Sequence, residues 1–181
     1  MSLSNWMCWE GGVDVVGSTV AGGAQPNVIV HVARMVHTPV GSAPSGMVFY
    51  QPDPGQPPVF AGFVSGNARV GAYFGPHIFA GTPFENVPVL EAQIEVFDAP
   101  ARARVRFGGF DVTSQLDDVG PLALINRAAG QPLPFAQQGL EAAAGRASVT
   151  VNGVAVPVHL LPLGIAGGAS AVVSPAGIYA R

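Results

Sequence analysis

The stretch Tyr73–Glu85, reading YFGPHIFAGTPFE, gathers Phe74, Phe79 and Phe84 with a tyrosine, a histidine and a glutamate. Aromatic walls with few polar groups are the make-up of a small-ligand pocket. His77 or Glu85 could act there as general acid or base, and Arg69, just upstream, could anchor an anion. The candidate binding set is therefore Arg69, Tyr73, Phe74, His77, Phe79 and Glu85. Gly75-Pro76 and Gly81-Thr82-Pro83 are turn signals, which makes His77–Phe79 at most a short extended bridge. The same residues also describe a plug. Large aromatics at chain bends are ordinarily core, and Phe74, Phe79 and Phe84 would close one end of a sheet. The plug is the ordinary reading, and the segment is still the best site candidate in the chain.

Other chemistry finds less support. His31 and His37 are expected on the same side of one strand, but six residues at about 3.3 Å each put them roughly 20 Å apart. They cannot share an ion. His77 and His159 fall in no zinc spacing, so no metal and no cofactor is expected. Cys8 alternates with Trp6 and Glu10 in WMCWEGG, the ordinary setting of a small buried hydrophobe. No Gly-x-Ser-x-Gly elbow, dinucleotide fingerprint or phosphate-binding loop occurs. Asp117 and Asp118 are expected on a loop, Asp111–Asp118, where adjacent carboxylates suit a turn better than acid/base work.

Arg102, Arg104 and Arg106 form the one basic cluster. Strand alternation puts all three on one face, but it also sets Glu95 across from Arg104, with Glu91 farther along. Those carboxylates cancel the field that a polyanion needs, and no aromatic residues interleave for base stacking. A charge-paired structural face follows, with no nucleic-acid partner.

The elements that would hold these residues are strands. The 181 residues include 24 Gly and 17 Pro, spread along the whole length. Between them lie runs of Val, Ile, Phe and Tyr of strand length. Strands are predicted at 27–36, 47–51, 59–64, 89–97, 102–107, 122–126, 148–151 and 154–160, with 5–16 as a further one. One short helix is predicted at 135–144. Asn152-Gly153 between valine runs signals a tight hairpin, and a second hairpin turns at Ala99-Pro100. There Val96 should face Ala103, with Leu90, Ala92, Ile94 and Val96 forming an apolar face against Ala103, Val105 and Phe107. A third hairpin should cross Gln51–Pro58. No strand–helix alternation suggests a parallel sheet. The expected fold is all-β: one domain over residues 1–181, an antiparallel β-sandwich or flattened barrel.

Charged residues are 10% of the chain, against roughly 25% in ordinary domains. All the basic residues are arginine, which excludes lysine Schiff-base chemistry and fits a GC-rich bacterial genome. The mean hydropathy of +0.38 raises the question of a membrane span. Proline and glycine interrupt the longest uncharged stretch, 154–180, too often for a spanning helix. With no basic signal region and a single cysteine, the expectation is a soluble cytoplasmic protein without a membrane partner.

Both faces of 27–36 are apolar. Either the strand is covered twice, or its outer face meets another subunit. So large an apolar share predicts a homo-oligomer, a dimer in the simplest case. The leading functional reading is a non-catalytic β domain that binds a small apolar ligand or serves in an assembly. An enzyme working through His77 and Glu85 is the alternative, and a virion or surface structural protein is the third.

Overall fold

The computed structural model describes residues 5–130 and 133–181. Its strands are β1 (Trp6–Ser18), β2 (Val28–Thr38), β3 (Gly41–Tyr50), β4 (Phe60–Ser65), β5 (Val89–Glu91), β6 (Gln93–Asp98), β7 (Ala101–Phe107), β8 (Phe110–Val119), β9 (Ala123–Arg127), β10 (Ala136–Val151), β11 (Val154–Val156), β12 (His159–Leu160) and β13 (Ala171–Ala180). Helix α1 (Ala68–Tyr73) runs directly into a π-helical turn, Phe74–Ile78.

The strands form one sheet in the order β5-β4-β3-β2-β1-β13-β10-β8-β7-β6, nearly closed into a barrel. Closure comes from a single run of chain. Residues 89–91 pair parallel with β4, and residues 93–98, two steps on, pair antiparallel with β7. Both ends of the sheet thus belong to one segment, joined by Ala92, whose N–H donates to Ser65 O at 2.9 Å. The barrel interior holds a valine-rich core that includes Val13, Val15, Val30, Val32, Val48, Val105 and Val112.

A second core lies outside the barrel, on the other face of β1–β4, under α1 and the π turn. Asn67 caps α1, its side chain accepting from the N–H groups of Arg69 and Val70. Pro76 has no N–H to give, and the turn widens so that Phe79 N–H reaches Phe74 O at 2.9 Å. Gly75 lets this turn press onto the following loop, because a Cβ there would sit 2.2 Å from Glu85 O. Phe63 of β4 meets the rings of Phe74 and Phe79 at 5.5 and 5.4 Å. The two apolar faces of β2 are therefore covered within one chain, from inside by the barrel and from outside by the Tyr73–Glu85 segment. The plug covers the flank of the sheet and not its end.

Across β1, β2 and β13 the alternation of sides shifts near Gly11 (φ 64°), Arg34 and Pro175. As a result Trp9 and Val36 share the outer core with Val16 and Ile29. His31 also faces that side. His37 faces the opposite one, hydrogen-bonded to Glu10 and Ser42 at 2.8 Å each. The expectation that both histidines share a side fails because a bulge in β2 between Ala33 and Val36 inverts the alternation.

The helix expected at 135–144 is instead the first half of β10, while the helix present is α1. The strand is held on both edges, by β13 and β9, so its backbone groups are satisfied without helical bonds. Its small residues permit this: a Cβ on Gly139 would sit 2.6 Å from Ala176 O of β13. The loop expected at 111–118 lies within β8, where Val112, Ser114 and Leu116 alternate inward. Segment 171–180, read from sequence only as uncharged chain, is β13.

The hairpin turns and registers hold, but the strand expected at 89–97 breaks at Ala92, so that Leu90 and Glu91 pair with β4 and lie outside the hairpin ladder where they were expected. Val96 pairs with Ala103 and Glu95 with Arg104. Tyr50 pairs with Phe60 across the third hairpin. Asn152 and Gly153 both have positive φ, 50° and 78°, as a type I′ turn requires. Among the described residues no helix is long and apolar enough to cross a membrane.

Candidate functional site

The outer face of the β1–β2 ladder reads, rung by rung, Trp9/Val36, Gly12/Ala33, Asp14/His31 and Val16/Ile29. One rung is polar. Asp14 Oδ1 lies 2.7 Å from His31 Nδ1, and the two side chains are only 19% and 25% exposed. Burial works against the charged imidazole, but the Asp14 carboxylate, its hydrogen bond and the charge of Glu141 outweigh it. The His31 pKa is raised.

More polar groups converge on this rung from β9, β10 and β13. Arg127 donates to Gln137 Oε1 at 2.8 Å and to both Glu141 oxygens at 3.0 and 2.8 Å. Gln137 donates to Glu141 Oε1 at 2.9 Å. The Glu141 hydrogen bond holds the Arg127 guanidinium firmly protonated. Tyr179 is 3% exposed, its ring packed on Trp9 and Phe135. Burial first, and then the charges of Asp14 and Glu141, push its hydroxyl far above the ordinary range, with Arg127 opposing. That hydroxyl has no hydrogen-bond partner among the described residues. A turn closes over the cluster, with Gly164 N–H donating to Gly168 O at 2.8 Å. Gly168 has no room for a side chain, since a Cβ there would lie 2.3 Å from Arg127 Nη2.

Three hollows adjoin this face. Beside the Val16/Ile29 rung is an apolar groove of about 440 Å³, walled further by Phe84, Leu133, Leu161 and Ile165. Beneath the Gly164–Gly168 turn is a cavity of about 30 Å³ among Asp14, His31, Arg127, Gln137, Glu141 and Tyr179. Groove and cavity share Val16, Gly164 and Ile165. On the far side of the Asp14/His31 rung, a second cavity of about 30 Å³ lies among Trp9, Met47, Phe63, Phe74 and Phe79.

The residues singled out from sequence are divided among these places. Phe74 and Phe79 line the second small cavity, which has room for water and not for a ligand of ordinary size. Tyr73 is buried, and its hydroxyl accepts from Trp6 N–H at 3.3 Å. His77 is exposed and stacks on the Tyr73 ring at 4.5 Å. Glu85 accepts from Gly81 N–H at 2.6 Å, bracing its own loop. Arg69 points from the first turn of α1 and is exposed. His77 and Glu85 make no contact with each other among the described residues. Thr82, Pro83 and Phe84, from the same segment, do wall the groove.

The sequence reading missed the groove, and also Asp14, Arg127, Gln137, Glu141 and Tyr179. His31 was weighed only as a metal ligand. One signal was available: Asp14 and His31 each interrupt an apolar run that otherwise reads as fully buried.

On the opposite flank, Arg104 forms a bidentate pair with Asp111, Arg106 pairs with Glu95, and Arg102 lies 4.4 Å above the ring of Phe97, its cross-strand partner, an aromatic on the arginine face where none was expected. The concavity there, about 260 Å³, carries both signs of charge. Among the described residues no cluster of His, Cys, Asp and Glu could hold a metal ion. Comparison with protein-family models, with curated proteins and with solved structures finds no match, so the site rests on the geometry of this chain alone.

Proposed function

We propose that this protein is a non-catalytic binding domain for a small apolar ligand, held in the groove beside the Val16/Ile29 rung. The observation that carries the reading is the groove itself. Its volume of about 440 Å³ falls within the range of small-molecule sites, and its walls are aliphatic and aromatic. The reading keeps to a cytoplasmic protein that needs no cofactor. Isothermal titration with butylbenzene tests it. Binding should be saturable, and Ile165→Trp, which fills the groove, should abolish it while His77→Ala leaves it unchanged. No binding by the folded wild type, or loss on His77→Ala, would overturn the reading.

A second observation favours assembly in addition. Among the described residues strand β9 pairs only with β10, and Leu124, 82% exposed, stands directly across from Leu140, 37% exposed. Leu122 and Val119 are exposed close by in sequence. An open edge with an apolar face is a self-association surface. A second copy added at β9 would make the protein a homodimer. Light scattering across a dilution series should give twice the 18.5 kDa chain mass, and Leu124→Asp should return it to the monomer value.

A further inference from the structure

We infer that the ligand carries an uncharged carbonyl group, which enters the cavity beneath the Gly164–Gly168 turn and accepts a hydrogen bond from Tyr179. This rests on the groove being the binding site and names the chemistry of what binds there.

Position comes first. The Val16/Ile29 rung lines the groove, and the Asp14/His31 rung is next on the same face. Successive rungs on one face of a strand are about 7 Å apart. A chain lying along the ladder in the groove therefore meets the polar cavity a few bonds from its end. The cavity, about 30 Å³, takes a carbonyl oxygen but no larger group.

The available hydrogen bonds come next. Arg127 is committed to Gln137 and Glu141, and Gln137 to Arg127 and Glu141. His31 Nδ1 is taken by Asp14. Two groups are left without partners among the described residues, the Tyr179 hydroxyl and His31 Nε2. Tyr179 is the more telling, because its ring is buried while its unpartnered oxygen is not sealed in and reaches the cavity it lines. It stays protonated, so it donates, and His31 Nε2 donates as well in the charged form that the Asp14 contact favours. Their common partner is an acceptor.

Charge decides which acceptor. Asp14 and Glu141 contribute two negative charges and Arg127 one positive; His31 brings the second in its charged form, which the Asp14 contact at 2.7 Å favours, and the cluster then balances. A carboxylate head would bring an unbalanced negative charge out of water, and an ammonium head an unbalanced positive one beside Arg127. Either is far more costly than burying a neutral carbonyl.

A matched series tests this: butylbenzene, 4-phenylbutan-2-one, 4-phenylbutanoate and 4-phenylbutylamine, each titrated into the whole chain. The ketone should bind about tenfold more tightly than butylbenzene, and the two ions no more tightly than it. Tyr179→Phe keeps the ring between Trp9 and Phe135 and removes only the hydroxyl. It should erase the advantage of the ketone and leave butylbenzene within twofold. If that variant does not fold, the wild-type ranking decides alone. Butylbenzene binding with no gain for the ketone would mean that the cavity holds water only, which overturns the inference and leaves the groove standing. Tightest binding by either ion, or a ketone advantage that survives Tyr179→Phe, would overturn it too. Failure of all four compounds to bind would instead remove the proposed function.

Discussion

Strands β1 and β2 present one face to the barrel interior and the other to the space under α1, and the two faces are packed differently. Inside, Val13, Val15, Val30 and Val32 join a continuous valine-rich core, interrupted on β8 by the buried hydroxyl of Ser114. Outside, the rungs vary from Trp9 to Gly12, one is an ion pair, and two cavities and a groove adjoin them. The inner face gains from uniform β-branched side chains that interlock at crystal-like density. The outer face meets no second sheet but an irregular cover of helix, π turn and loops, which cannot match it rung for rung. Imperfect cover leaves room, and the room is where a ligand could sit.

The largest expected effect tests how far the cover acts as core. Phe79 touches Phe63, Phe84 and Phe135 and is buried. Phe79→Ala should cost about 3–5 kcal/mol, read as a lower urea midpoint with unchanged slope. A cost below about 1 kcal/mol would mean that the segment merely rests on the barrel, and the contrast between the faces would be one of attachment and not of packing. His77→Ala, on an exposed ring, should shift the midpoint little.

The polar rung is next. Removing one member of a partly buried ion pair strands the other, at a cost between that of surface and deeply buried pairs. Asp14→Ala should cost about 2 kcal/mol. Adding His31→Ala should then cost little more, since the pair is already broken, and the double-mutant cycle should show strong coupling. Additive costs would mean that the two side chains contribute separately and that the rung is not a unit.

Gly153→Val probes the part of the molecule that was plainest from sequence. A β-branched residue at a φ of 78° should cost about 1 kcal/mol or more, and an unchanged midpoint would count against the turn. Hairpins were legible because their signals are local: Asn152-Gly153 fixes its turn by φ, and alternation between Glu95 and Arg104 fixes the register. The all-β class was legible for the same reason. Strand β10 was misread because alanine, glutamine and glutamate favour a helix locally, while its two neighbouring strands decide otherwise. The groove was not legible at all. Its walls come from β1, β2, the 82–84 loop and the 161–165 loop, and no local pattern brings these together. Phe74, Phe79 and Phe84 were rightly seen as a group of aromatics, yet the first two reach one cavity and the third another. The bulges at Gly11 and Arg34 decide which side chains share a face, and they hid the company that His31 keeps.

The smallest effect is a pH dependence, and it belongs to the polar cluster on the outer face, where His31 sits. His31 is faced by Asp14 from β1, Arg127 from β9, Glu141 from β10 and Tyr179 from β13. Its pKa is raised above the ordinary value near 6.5 because the Asp14 contact and the Glu141 charge outweigh burial. A group that holds its proton more tightly when folded stabilises the fold fully below its unfolded pKa. That contribution is lost as pH rises through the higher folded pKa. Stability should therefore decline from about pH 6.5 upward, measured as urea midpoints at constant ionic strength. The chain has three other histidines, His37, His77 and His159, so the wild-type slope alone does not identify the group. The difference between wild type and His31→Asn does, because the other histidines cancel in it. That difference should favour the wild type most at low pH and shrink steadily toward high pH. If it grew with pH instead, His31 would be folded as the neutral imidazole, the cluster would carry a net negative charge, and a cationic head would become the better partner for the cavity.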